Sequence, residues 1–204
     1  MMVSTKVGAM ALAVLLWGSL AQAAVDLAGR VVRVTDGDTV VLLDSDKSEH
    51  KIRLAGIDAP ETGQEFGTKA KQHLLALVGG DPVTVAWHKR DKYGRIVGKL
   101  IREGTDVNLA MVRAGFAWWY QKYANEQAPV DRVLYAAAEG KAKAEGVGLW
   151  ADKAPLAPWD WRHPSAESRT TLECPCGTGA VCVGPKGGRY CVREGGGKRY
   201  FARG

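Results

Sequence analysis

An α+β, mainly β chain is predicted: a small antiparallel barrel of five strands with helices packed around it, followed by a small cysteine-containing C-terminal appendage. Three observations predict it. Five stretches before residue 102 carry the β-branched content and alternation of half-buried strands, three stretches carry the period of a helix, and all four cysteines lie beyond residue 173.

The elements follow in order. Arg30 to Thr35 and Thr39 to Leu43 are β-branched runs joined by Asp36-Gly37-Asp38, a hairpin signal in which Gly37 is expected to take a positive φ. After the polar loop DSDKSEH, the segment HKIRLAGI sets Ile52 and Leu54 on one face and Arg53 and Ala55 on the other, as a third strand. DAPE ends it, because Pro60 cannot donate to a ladder. From Phe66, the residues Ala70, His73, Leu74 and Leu77 fall on one helical stripe, stopped by Gly79-Gly80. Val83, Val85 and Trp87 alternate as a fourth strand, DKYGR turns the chain, and Ile96 to Ile101 make the fifth. Asp106 is placed to cap a helix from Val107 to Ala114, and Pro129 to open another reaching Glu145, with Gly146 as its stop.

The ends of the chain differ from this middle. Residues 1–23 hold one charge, Lys6, an apolar run from Val7 to Leu20 and the small-x-small site Ala21-Gln22-Ala23, which reads as a signal peptide and hence an exported protein, periplasmic or secreted. That run is too short for a membrane span. Four regions are expected: 1–23 the signal peptide, 24–152 the barrel and its helices, 153–165 a linker, and 166–204 a basic Gly/Cys-rich segment. Residues 24–161 hold 19 basic and 19 acidic side chains, whereas 162–204 hold 8 and 3, so the tail carries the positive excess of the mature chain. Such a tail suits a polyanionic partner. Cys174, Cys176, Cys182 and Cys191 are expected to form two disulfides of open connectivity, with zinc as the rival, although the C-x-C spacing lacks the usual zinc knuckle.

Acids and arginines collect at the strand ends. Asp36 and Asp38 flank the first turn, Asp58 and Glu61 follow the third strand, Arg53 lies within it, and Arg95 begins the fifth. Each taken alone reads as surface or turn chemistry. Together, the carboxylates would repel unless a cation sat among them, and hard divalent cations take carboxylate, carbonyl and water oxygens. Asp38, Asp58 and the Ala59 carbonyl could make such a site, with the arginines holding a phosphate through their planar forks.

The segments TDGDTVVL, IRLAGIDAPE, DKYGR, VNLAMVRAGFAWWY and AAAEGKAKAEGVGLW, in this order, resemble the staphylococcal-type thermonucleases over about residues 28–152. The resemblance implies an OB-fold five-stranded barrel with packed helices and a calcium-dependent phosphodiesterase that cuts DNA and RNA, leaving 3′-phosphates. It implies Ca2+ held by Asp38, Asp58 and the Ala59 carbonyl with Asp36 beside them, and a catalytic trio of Arg53, Glu61 and Arg95. Ala59 stands where the commonest family example has threonine, which keeps the carbonyl and loses a hydroxyl. The stretch TGQE after Glu61 is short where some members carry a longer loop. Tyr93 and Tyr123 are candidates for stacking on the substrate. The chain is read as a monomer.

A non-catalytic nucleic-acid-binding module on the same fold is the rival function, since folds outlive their activities. An envelope or adhesion protein using the basic tail would explain export but not the acids. His50, His73, His88 and His163 have no metal-ligand spacing, and there is no G-x-S-x-G elbow or Walker glycine loop.

Overall fold

The computed structural model describes residues 25–163, 174, 176–178, 181–183, 189–193 and 198–201. The expected signal peptide and much of the basic tail lie outside these residues. The strands that carry the architecture are β1 (Val25–Asp36), β2 (Thr39–Leu43), β3 (Glu49–Leu54), β5 (Pro82–Arg90) and β6 (Ile96–Arg102), after a two-residue β4 (Ile57–Asp58). Their order is β3-β2-β1-β5-β6, extended by the two-residue β7 (Thr105–Asp106), and β3 also pairs with β6, which closes the sheet into a five-stranded barrel. This is the OB-fold arrangement. Four of the barrel pairings are antiparallel, whereas the closing one is parallel, with Ile52 opposite Ile96 and Arg53 opposite Val97.

Alternation fills the barrel. Val40 and Leu42 of β2, Ile52 and Leu54 of β3, Val83 and Val85 of β5, and Ile96 and Leu100 of β6 are all buried in one core. Helix α1 (Gly67–Val78) covers it with Ala70, Leu74 and Val78. Phe66 does not extend the helical stripe; it takes a left-handed conformation (φ 62) before the helix and packs in a second cluster with Trp118, Leu149 and Ala157. Helix α2 (Val107–Arg113) starts as expected, with the Leu109 N–H donating to Asp106 Oδ1 at 2.9 Å. The Tyr135 hydroxyl of α3 (Pro129–Glu145) donates to the same carboxylate, at 3.0 and 2.9 Å from its two oxygens.

The third strand is shorter than its sequence suggests. It turns at Gly56 (φ 72) and resumes as β4, which pairs with β8 (Trp118–Trp119), setting Asp58 opposite Trp118. The expected linker contains helix α4 (Pro158–Arg162), whose approach packs Ala157 on the second cluster with Trp159 against it. In the tail, β9 (Cys182–Val183), β10 (Arg189–Val192) and β11 (Lys198–Tyr200) form a small sheet. Cys174 is bonded to Cys182 and Cys176 to Cys191, so the cysteines form disulfides.

Gly37 is needed for a different reason from the one its turn suggests. Its φ is not in the left-handed region. A Cβ there would stand 2.6 Å from the Ala59 Cβ and 2.8 Å from the Ala70 Cβ, so the glycine lets the hairpin tip press against the β4 loop and α1.

One side chain pins the barrel seam beneath the strand that carries Arg53. Asn108 is fully buried, accepts from the Leu100 N–H at 3.1 Å, and donates to the Ala55 and Gly98 carbonyls at 2.9 and 3.2 Å. Asn108→Ala strips this partner from the Leu100 N–H and the Ala55 carbonyl, while the Gly98 carbonyl keeps the Ala55 N–H, and is expected to lower stability by about 3 kcal/mol. Urea unfolding with an unchanged slope checks this; a loss below about 1 kcal/mol would mean that the groups are satisfied elsewhere.

Candidate functional site

The site is assembled where the first hairpin, the end of β3 and the β4 loop meet. Asp36 ends β1 and its Oδ1 accepts from the Asp38 N–H at 3.1 Å. Asp38 Oδ1 accepts from the Thr39 hydroxyl at 3.1 Å, and Oδ2 from the Ala59 N–H at 2.8 Å. The hairpin tip is thereby tied to the loop that carries Asp58 and Ala59.

Arg53 lies between the two acids. Its Nη1 stands 2.5 Å from Asp38 Oδ2, and its Nη2 donates to Asp58 Oδ1 at 2.8 Å. The first contact is close in distance but lacks hydrogen-bond geometry, which leaves buried Nη1 without a directed acceptor. The Asp58 side chain has no solvent exposure.

A second guanidinium reaches Asp58 from far along the chain. Arg162 Nη2 is 2.6 Å from Asp58 Oδ2, and its Nη1 is 3.2 Å from Asp58 Oδ1 and 2.5 Å from Glu61 Oε1. Glu61 is partly exposed, and its N–H donates to Gln64 Oε1 at 3.0 Å. Sequence reasoning missed Arg162, because it lies in a proline-bearing stretch that reads as a linker. The one signal was its place in PWDWR, where aromatic residues flank a cation.

The electrostatics are those of a cluster short of positive charge. Among the described residues, the four carboxylates of Asp36, Asp38, Asp58 and Glu61 are answered by two guanidiniums, Arg53 and Arg162, a formal excess of two acids. Burial pushes the Asp38 carboxyl up, Arg53 pulls it back, and Asp36 and Asp58 push again, so that it stands at about 7. Burial alone would lower the Arg53 guanidinium, but Asp38, Asp58 and Asp36 hold it above its ordinary value. Arg162 is likewise held up by Asp58 and Glu61 against its own partial burial.

The structure thus brings Asp36, Asp38, Arg53, Asp58, Ala59 and Glu61 into one network. Among the described residues no hydrogen bond or ion pair joins Arg95 to this network; it precedes Ile96, which pairs with Ile52, and its side chain is held by Asp91. Its Nε donates to Asp91 Oδ2 at 2.7 Å and its N–H to Asp91 Oδ1 at 3.0 Å, within the DKYGR turn. Tyr93 is exposed, with the Lys92 Nζ 5.0 Å and the Arg95 guanidinium carbon 5.5 Å from its ring centre. Tyr123 is exposed too, beside Lys89 and Lys122 and edge-on to Tyr120. A cleft of about 570 Å³ is lined by Trp118, Tyr120, Lys122, Lys143, Trp159 and Arg162 among others, and of the network only Arg162 lines it.

Asp38 and Asp58 offer carboxylate oxygens, the donors that hard divalent cations take, and here guanidinium nitrogens of Arg53 and Arg162 stand against them. Among the described residues no three acidic, histidine or cysteine side chains form a cation cage. Two carboxylates and the Ala59 carbonyl are the donors available, so water would complete any coordination shell.

Comparison with known proteins fits this arrangement. Residues 51–152 match the family described as staphylococcal nuclease homologue. An uncharacterized endonuclease of Escherichia coli is 46% identical over 139 residues, covering 68% of this chain and 86% of that protein. The micrococcal nuclease of Shigella flexneri is 38% identical over 149 residues, covering 69% and 83%. Protein ParB of Escherichia coli is 39% identical over 170 residues, covering 79% and 92%. A family match over half the chain, joined to relatives 38–46% identical over two thirds of it or more, makes this chain a member of the staphylococcal nuclease family.

Proposed function

We propose that the protein is an exported, calcium-dependent nuclease that hydrolyses phosphodiester bonds of DNA and RNA to 3′-phosphates. The observation that carries this reading is the network of Asp38, Arg53 and Asp58 with Glu61 beside it, short of two positive charges, in a chain whose relatives include proteins named endonuclease and micrococcal nuclease. Two disulfides, and no helix among the described residues long and apolar enough to cross a membrane, accord with the export signal.

In this reading Asp38, Asp58 and the Ala59 carbonyl hold Ca2+, with Asp36 orienting Asp38 through its backbone. The cation would supply charge that polarises the phosphate and the attacking water. Glu61 accepts a proton from that water as its oxygen bonds to phosphorus. The bond from phosphorus to the 5′ oxygen breaks, and that oxygen leaves with a proton from solvent as a hydroxyl. Arg53 offers Nη1 to the phosphate oxygens, and Arg95 adds a second guanidinium as charge develops on them. Tyr93 and Tyr123, exposed beside cations, offer faces on which bases stack.

Chelation is expected to abolish release of acid-soluble nucleotides, calcium to restore it, and magnesium to restore it poorly, since a strict octahedral ion suits two carboxylates and a carbonyl less well. Full activity in magnesium with calcium rigorously removed would overturn the cation assignment.

Asp38→Asn, Glu61→Gln and Arg95→Ala are each expected to reduce turnover by at least about a hundredfold. Arg95→Ala keeps stability close to wild type. Arg53→Ala loses activity and about 3 kcal/mol of stability together, because it strips a cation from two buried acids. Turnover and thermal unfolding of the same preparations check both; near-normal rates in Arg95→Ala would remove that residue from the site.

The tail, net +5 over residues 162–204, serves in this reading as a tether to polyanions. Truncation after His163 removes all but one of its cations and is expected to leave turnover at saturating substrate nearly unchanged, while weakening binding to long DNA. Each lost phosphate contact flattens the salt dependence by about 0.9 in slope on duplex. Equal affinities and slopes for the two forms, made catalytically dead by Asp38→Asn, would exclude the tether.

A further inference from the structure

We propose that Arg162 is a positioning residue of this nuclease site, supplied by a strap beyond the family-matched segment: its guanidinium fixes the Glu61 carboxylate against Asp58 in the orientation that proton transfer requires. The inference rests on the nuclease reading above and adds to it a residue from outside the matched residues 51–152.

The strap is anchored before its arginine contributes anything. Ala157 and Pro158 are buried, and the Trp159 ring stacks on Tyr120 at 5.3 Å with 7° between planes and meets Trp118 edge-on at 6.1 Å. The helix α4 is therefore held by aromatic packing, and Arg162 reaches the acids from a fixed base. Ordering such a long side chain costs less when its backbone is already placed.

The strap also grips the loop that carries Glu61, at two points. Buried Gln64 donates through Nε2 to the Leu156 carbonyl at 2.6 Å and accepts the Glu61 N–H at 3.0 Å, so the loop backbone is tied to the strap through one side chain. The Glu61 carboxylate is then held by Arg162 Nη1. A short loop would otherwise leave a partly exposed glutamate free to sample several rotamers, and a misplacement of about 1 Å in a reacting group can cost about a hundredfold in rate.

The fork geometry suits this role. One nitrogen serves Asp58 Oδ2 while the other bridges Asp58 Oδ1 and Glu61 Oε1, so a single planar group sets two carboxylates relative to each other. A lysine, a point charge on a flexible stem, cannot do so.

The test begins with the wild-type full chain and Asp38→Asn on single-stranded DNA with calcium. If the two release nucleotides equally, the nuclease reading itself fails. Given an active wild type, Arg162→Ala is expected to lower kcat by at least about tenfold with KM within about twofold, since the residue acts through Glu61 and not on substrate affinity. Tryptophan emission in chelator is expected to stay at the wild-type wavelength, which reports that Trp159 remains docked. Millimolar guanidinium is expected to restore part of the lost kcat in Arg162→Ala and none in wild type, and Arg162→Lys to fall between them. Should Arg162→Ala fail to fold, Arg162→Met carries the same comparison. Wild-type kcat in the folded variant overturns the proposal. So does faster turnover with tighter calcium binding, which would make the arginine a competitor of the cation. A loss without guanidinium rescue, accompanied by red-shifted emission, overturns it as well, leaving Arg162 a structural clamp.

Discussion

The buried charge of Asp58 is the constraint on which the site depends. A carboxylate with no solvent exposure is tolerated only when its lone pairs are answered, and here two guanidiniums answer them, both reaching Oδ1 and one also Oδ2. One, Arg53, is built into the barrel wall; the other, Arg162, arrives on a strap. Between them they also engage Asp38 and Glu61, so neighbouring acids are set by the need to satisfy one. The residual negative charge keeps the cluster from being a closed structural salt bridge. Burial above all lifts the Asp38 carboxyl to about 7 against the pull of Arg53, and Asp36 and Asp58 add to the rise.

The barrel explains why these groups can be gathered so tightly. Closing the sheet through β3 and β6 brings Arg53 and the start of β6 side by side, and Asn108 fixes the carbonyls of Ala55 and Gly98 just beyond. The hairpin tip descends onto the β4 loop because Gly37 has no Cβ to meet Ala59 and Ala70. Strands and the tight turn between two of them thus supply Asp36, Asp38 and Arg53, while Glu61 sits on a short loop that takes its order from elsewhere. Precision at Glu61 therefore rests on Gln64 and on the packing of the two tryptophan-rich segments.

Much of this was legible in the sequence, for local reasons. Alternation in β2, β3, β5 and β6, the cap at Asp106 and the stop at Gly146 are each written within a few residues, and the acids stand at the strand ends they punctuate. What escaped was everything fixed by contact between distant segments. Periodicity cannot reveal that β3 closes on β6 in parallel, because both strands alternate whatever their partner. Gly37 looked like a φ requirement, whereas close approach demands it. Phe66 fits the helical stripe by spacing, yet its backbone turns left-handed and its ring joins another cluster. Arg162 sits among prolines and tryptophans that suggest a connector, and nothing local says which acids it will meet.

The distance along the chain between Asp58 and Arg162, 104 residues, bears on how the protein comes into being. Synthesis proceeds from the N-terminus, and a domain begins to fold as its segments emerge. The barrel strands and their first guanidinium are complete by residue 102, well before α4 exists. A growing chain can therefore own a formed barrel while Asp58 still lacks its second cation and the Glu61 loop its clamp. Maturation of the acidic pocket is thus a late event in biosynthesis, timed by delivery of the final helix after the scaffold it completes.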